Sequence, residues 1–172
     1  MSNESGRATE EVRVVEADLA RTDHAAAVLE MVNAYSMDPM GSGAPLAVDV
    51  RRELIPRLRA HPTTIIFLAY QADRLVGVAV CFLGFSTFAA RPIINVHDLA
   101  VLTDCRGQGV GRQLLAAVER KARKLDCCKL TLEVQENNHT ARRTYEAAGF
   151  RHSLADTPGG GCLFMSKRVV AD

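Results

Sequence analysis

Residues 97–116 read HDLAVLTDCRGQGVGRQLLA; here an apolar run breaks at a short polar turn before three glycines open an amphipathic segment. Residues 96–102 are β-branched or aliphatic around His97 and Asp98, the pattern of a mostly buried strand, and Thr103 with Asp104 supplies turn chemistry. Beyond the glycines, Leu114, Leu115, Val118 and Leu125 recur at helical spacing, with Arg112, Gln113, Glu119 and Lys121 between them. The stretch is therefore a strand that hands the chain to the start of a helix. The first amides of a helix have no internal partner and carry the positive end of its dipole, so the turn is suited to an anion such as phosphate. Glycine at 107, 109 and 111 would let that anion approach the main chain closely.

The spacing narrows the anion. A dinucleotide fingerprint would need glycine where Arg112 stands, and the Lys-Ser/Thr of a P-loop is absent. What remains is an R-x-x-G-x-G pattern from Arg106 to Gly111. About thirty residues on, residues 138–150 read NHTARRTYEAAGF, and helical geometry puts Asn138, Arg142 and Tyr145 on one face. Together the two motifs resemble the cofactor signature of the GNAT superfamily of N-acetyltransferases, over roughly residues 12–168. The resemblance implies acetyl-coenzyme A as co-substrate, no metal, and a cleft where two parallel strands splay apart.

Composition agrees with an ordinary globular protein. The chain has 172 residues, 48% hydrophobic and 24% charged, with a net charge of +1. That balance argues against nucleic acid as a partner; the arginine and lysine clusters read as solvated helix faces. Five cysteines without metal spacing imply free thiols in a reducing cytoplasm. Residues 1–10 are polar and read as a disordered leader, and the apolar run 75–85 is too short to span a bilayer.

In chain order, the pattern predicts a strand over 12–15 and a helix through Leu19 and residues 25–32, capped by Asp18 or by Thr22 and Asp23. Residues 35–45, rich in proline and glycine, form a substrate-side loop before a helix over 48–58. Residues 63–70 and 75–85 form a hairpin, and the central strand over 93–102 follows a loop over 86–92. A strand over 129–135 follows the central helix and lies parallel to the central one, since a strand–helix–strand crossover demands it. Asn137 and Asn138 start a last helix that Gly149 ends, and strands over 150–154 and 163–169 close around a turn at Thr157–Gly161. The expected fold is α/β, a GNAT-like mixed, mostly antiparallel sheet of six to seven strands with about four helices, in one domain over 11–170.

The resemblance assigns roles. The amides of Gly107, Gln108, Gly109, Val110, Gly111 and Arg112 bind the diphosphate, with added charge from Arg106 and Arg112. The main-chain edge of Leu99, Ala100 and Val101 pairs with pantetheine, and the Val101 amide polarises the thioester carbonyl. Tyr145, an acid of ordinary pKa ~10, protonates the leaving thiolate, and Asn138 orients the cofactor beside it. His97 is the candidate base, set by strand alternation on the same face as Leu99 and Val101; Glu133 is the second candidate. Asp98 orients His97 or attracts the amine, and Tyr35 and Asp38 belong to the substrate-side loop. Residues 85–101 are most similar to the diamine acetyltransferases acting on spermidine, spermine or thialysine, which carry Glu-Asp in place of His97-Asp98. An amine acceptor carries over, polyamine specificity does not. The expected protein is a small-molecule N-acetyltransferase, cytoplasmic, not membrane-bound, and a homodimer through apolar residues near 82–88. A coenzyme A-binding sensor of the same fold, or a peptide N-acetyltransferase, are the alternatives.

Overall fold

A computed structural model describes residues 11–152 and 162–170. The leader over 1–10 and the turn at Thr157–Gly161 lie outside the described residues. Among the described residues, seven strands form one sheet: β1 (Val12–Glu16), β2 (Thr64–Gln71), β3 (Arg74–Ser86), β4 (Arg91–Val101), β5 (Lys129–Gln135), β6 (Arg151–His152) and β7 (Cys162–Arg168). Their spatial order is β1-β2-β3-β4-β5-β7-β6, antiparallel throughout except for β4 beside β5. Among the described residues, four α-helices cover it: α1 (Thr22–Met37), α2 (Val48–Ala60), α3 (Val110–Lys124) and α4 (His139–Ala147). No helix among the described residues is long and apolar enough to cross a membrane.

Two buried clusters, one on each face, fix this arrangement. Val110, Leu114, Leu115, Val118 and Ala122 of α3 pack on Ala79, Cys81, Ile94 and Val96. On the other face Val28 and Met31 of α1 meet Ile66, Leu68, Val78 and Ala100. Burying such apolar side chains is the main favourable term in folding, worth ~1.5–3 kcal/mol for each large one.

Several boundaries differ from the sequence reading. Helix α1 runs on to Met37, so Tyr35 is helical and the loop begins at Asp38. Its N-cap is Arg21 with no side-chain cap; Asp18 instead accepts from the Ala20 amide, and Asp23 pairs with Arg21. Helix α2 continues past Leu58 to Ala60, and the β3–β4 hairpin is longer than expected, with Ser86 opposite Arg91.

Two irregularities in β4 shape the centre of the molecule. Its pairing with β5 runs only from Ile93–Lys129 to Val96–Leu132, after which β5 continues against β7 alone. The splayed parallel pair is thus present. Against β3, Val80 opposes Asp98 while Cys81 opposes Val96, so His97 is the extra residue of a β-bulge. The bulge shifts the alternation by one. Val96, Leu99 and Val101 all pack towards α3, Ala100 packs towards α1, and His97 lies edge-on to Phe82, which packs with the α1 cluster. The expected placement of His97 on one face with Leu99 and Val101 is therefore corrected.

Candidate active site

The splay leaves part of β4 without a neighbour. Leu102 donates its amide to the Val76 carbonyl of β3 at 3.0 Å. Since main-chain groups in an antiparallel pair alternate between sides, Leu99 and Val101 turn theirs away from β3, into the gap where β5 has diverged. The Val101 carbonyl accepts from Arg106 Nε at 3.1 Å, consistent with that direction.

The gap opens into a cavity of about 450 Å³. Leu99, Ala100 and Val101 form its floor; Arg106, Gly107, Gly109, Val110, Gly111 and Arg112 lie along one side, and Asn138 and Tyr145 along the other. Tyr35, Asp38 and Met40 close a further part of the wall. Most of the expected cofactor residues thus share one cavity. Gln108 does not line it: its side chain accepts from Gln71 at 3.1 Å and donates to the Asp104 carbonyl at 3.0 Å, bracing the turn from behind.

The turn itself has the geometry an anion requires. Gly107 and Gly109 adopt φ of 76° and 85°, left-handed values that glycine holds without strain, and Gly109 is the N-cap of α3. The first bond of α3 runs from the Gln113 amide to the Gly109 carbonyl at 3.1 Å. The amides of residues 107–112 meet no backbone acceptor among the described residues. Arg106 is less free: it pairs with Asp38 at 2.5 Å as well as with the Val101 carbonyl. That guanidinium, with the Met40 amide, holds the Asp38 carboxyl below the usual carboxylate range.

Helix α4 presents Tyr145 by way of its two ends. At its start Asn138 Oδ1 accepts from the Ala141 amide at 3.1 Å, a side-chain N-cap. At its end Phe150 donates to the Tyr145 carbonyl and Gly149 to the Glu146 carbonyl, both at 3.0 Å, and the Phe150 ring lies 6.0 Å from the Tyr145 ring. These are the bonds and the apolar contact of a Schellman cap. Arg142 leaves the expected face and binds the Glu136 carbonyl, while Thr140, Ala141, Arg143 and Thr144 line the cavity. Arg143 was not singled out from sequence; the Arg-Arg pair in the motif signalled charge without saying which arginine faces inward.

Electrostatics concentrate on the opposite side of the gap. Burial first, then Tyr35 and Asp98, push the Tyr145 phenol well above its ordinary pKa. Tyr35 is raised by burial and by Asp98 and Asp38. Asp98 itself is raised by burial, an effect partly offset by His97. Asp98 thus acts on both phenols, and Tyr35 on Tyr145. His97 is exposed, as is Glu133, which accepts from the Cys162 thiol; neither lines the cavity with Tyr145.

This architecture defines an acyltransferase, and the comparisons agree. The chain belongs to the acetyltransferase (GNAT) family, whose model matches residues 28–150. It is 28% identical over 137 residues to an uncharacterized N-acetyltransferase, YhfO, of Bacillus subtilis (strain 168), covering 76% of this chain and 86% of the relative. It is 30% identical over 93 residues to the thialysine N-epsilon-acetyltransferase of Bos taurus, covering 54% of each. Among solved structures, a probable acetyltransferase superposes with TM-score 0.72 at 21% identity, over 87% of this chain and 96% of the other. The NatC complex bound to Gag peptide and CoA gives 0.69 at 18% identity, over 93% and 99%. Relatives of this fold thus bind coenzyme A, and the chain is an enzyme of the N-acetyltransferase class.

Proposed function

We propose that this chain moves acetyl from acetyl-coenzyme A directly onto the primary amine of a small molecule. The carrying observation is one continuous cavity with free amides along one side, an unpaired strand edge as its floor and Tyr145 along the other. The bovine relative, named for thialysine, supports a small amine as the acceptor class.

Acetyl-coenzyme A brings an activated thioester with a thiolate leaving group. The amides of residues 107–112 meet its diphosphate, and Arg112 and Arg143 add charge. Leu99, Ala100 and Val101 pair with the pantetheine arm, and the Val101 amide donates to the carbonyl oxygen as charge develops there. Asn138 Oδ1 is spent on its cap, so its amide nitrogen is the part left to orient the donor. Asp98, beside Tyr35, draws the acceptor's ammonium to the gap. His97 takes a proton from that ammonium directly or through water, and Glu133 is the second candidate. The nitrogen then forms its bond to the acyl carbon, the carbon–sulfur bond breaks, Tyr145 gives its proton to the departing sulfur, and the second proton of the attacking nitrogen returns through water to the Tyr145 phenolate. Burial keeps that proton on Tyr145, and the same burial makes a thiolate more basic, so donor and acceptor of the proton move together.

The reading extends to a cytoplasmic homodimer. All five cysteines are free, as a reducing compartment keeps them, and Phe85 and Phe88 stand exposed at the β3–β4 hairpin.

The test is incubation with acetyl-coenzyme A and a panel of thialysine, polyamines, amino acids, aminoglycosides and peptides, read by mass spectrometry. Acetylated small amines are expected; acetylation of peptides alone would move the acceptor class, and no product at all would favour a coenzyme A sensor. Tyr145→Phe should keep donor affinity and lower turnover about 100-fold or more, the scale of a lost general acid. The raised phenol keeps its proton through the alkaline range, so wild-type turnover should show no descending limb below its ordinary value of ~10. His97→Ala should lower turnover about 100-fold; if turnover stays at the wild-type rate, Glu133 or water is the base.

A further inference from the structure

Arg106 begins the donor turn, yet its bonds run elsewhere. It joins the Val101 carbonyl at the end of β4 to Asp38, the C-cap of α1. The Asp38 carboxylate also accepts from the Met40 amide at 2.8 Å. One residue of the same turn reaches the other lip of the gap: the Met40 carbonyl accepts from Gln135, the last residue of β5, at 3.4 Å. Residues 38–42 therefore cross from the end of β4 to the end of β5, over the place where these strands part. The turn is stapled to α1 by Gly41 donating to the Asp38 carbonyl at 2.8 Å and Ser42 to the Ser36 carbonyl at 3.1 Å. Asp38 and Met40 line the cavity from this strap, and Tyr35 from the last turns of α1.

We infer that the Asp38–Arg106 ion pair is a positioning device, which holds residues 38–42 across the gap and so fixes the acceptor end of the cleft from the first residue of the donor turn. This rests on the acetyl-transfer reading for its meaning, though not for its geometry. Charge and burial decide the partner of Arg106. The Asp38 side chain is only 11% exposed, and a nearly buried carboxylate stripped of its cation is strongly disfavoured. Arg112 and Arg143 are exposed, line the cavity and carry no ion pair among the described residues, so a diphosphate has cations available without breaking the strap. Asp38 and Arg106 then belong to neither ligand directly; they set the distance between the two sites.

Amide hydrogen exchange over residues 38–44, read by mass spectrometry with and without coenzyme A, tests this alongside calorimetric affinity for coenzyme A. Asp38→Asn and Arg106→Gln should each speed exchange there by about tenfold, and the double variant should add little, because both break one coupled pair. Asp38→Glu, which keeps the carboxylate, should restore most of the protection. With thialysine as the amine probe, both broken-pair variants should raise KM by about tenfold, a larger change than in kcat, as lost acceptor positioning requires. Unchanged exchange in both variants overturns the proposal. So does coenzyme A affinity that falls tenfold in Arg106→Gln and not in Asp38→Asn, which would give Arg106 to the diphosphate. Wild-type protein that binds no coenzyme A would instead sink the acetyl-transfer reading, and exchange would still decide the strap.

Discussion

At Gly109 two explanations for glycine make different demands. Its spacing with Gly107 is legible in the sequence and suggests close approach of an anion to bare backbone. The structure adds a second cause: φ is 85°, and a Cβ built there meets nothing within 4 Å. Backbone conformation, then, is what excludes other residues before any ligand arrives, and β-branched residues suffer most in that region. Gly109→Val should weaken coenzyme A binding by more than about tenfold, whereas Gly109→Asn, which tolerates the left-handed region, should stay within about threefold. Calorimetry on the two variants separates the causes, since equal loss in both would return the explanation to crowding of the ligand. Arg106 shows the limit of reading single residues. Its charge and place beside the glycines were visible, but its partner Asp38 lies 68 positions away and is supplied only by the fold.

Among the elements, α4 and its flanks were read almost to the residue, because its signals are local. Asn138 caps the start and Gly149 follows the end, as read; Phe150, expected to open the last strand pair, instead returns onto Tyr145, and β6 begins at Arg151. The bulge in β4 was not readable, because it is a property of register against β3 and nothing in the local sequence at His97 announces it. Its consequence is chemical: His97 moves to the α1 side of the sheet, where Asp98 and Tyr35 also act, and away from the face of Leu99 and Val101. The cap of α4 makes its own prediction. Gly149 has φ of 93°, and a Cβ there meets first the flexible Lys167 side chain, at 3.2 Å. Gly149→Ala should therefore cost about 1–2 kcal/mol through the backbone rather than through contacts. A melting point lower by roughly 2–8 °C is expected on that scale, measured by calorimetry. Because Phe150 would lose its seat on Tyr145, turnover should drop with it. Unchanged melting would mean that the cap does not hold the helix end.

For the whole molecule, the order of strands and helices was legible because each crossover and hairpin carries its own punctuation, while the shape of the surface was not. In sequence, the apolar residues near 82–88 read as more than one sheet face buries. In the fold, Phe82 is packed edge-on between His61 and His97, and Leu83 packs on the α3 cluster. What remains outside is Phe85, 62% exposed, and Phe88, fully exposed, at the end of the β3–β4 hairpin. Here β3 and β4 pair as far as Ser86 and Arg91, whereas β5 joins β4 only from Ile93, so the hairpin extends beyond the sheet. Two exposed phenylalanines on a projecting hairpin are costly to leave in water and are typical of a surface that another chain covers. A closed dimer through this hairpin should have a light-scattering mass of about twice the 18.7 kDa chain at micromolar concentration. Phe85→Ser with Phe88→Ser should return the mass to that of one chain while leaving the fold intact, since neither ring contributes to the buried clusters. A wild-type mass of one chain would remove the dimer, and a dimer that survives both substitutions would place its interface elsewhere on the molecule.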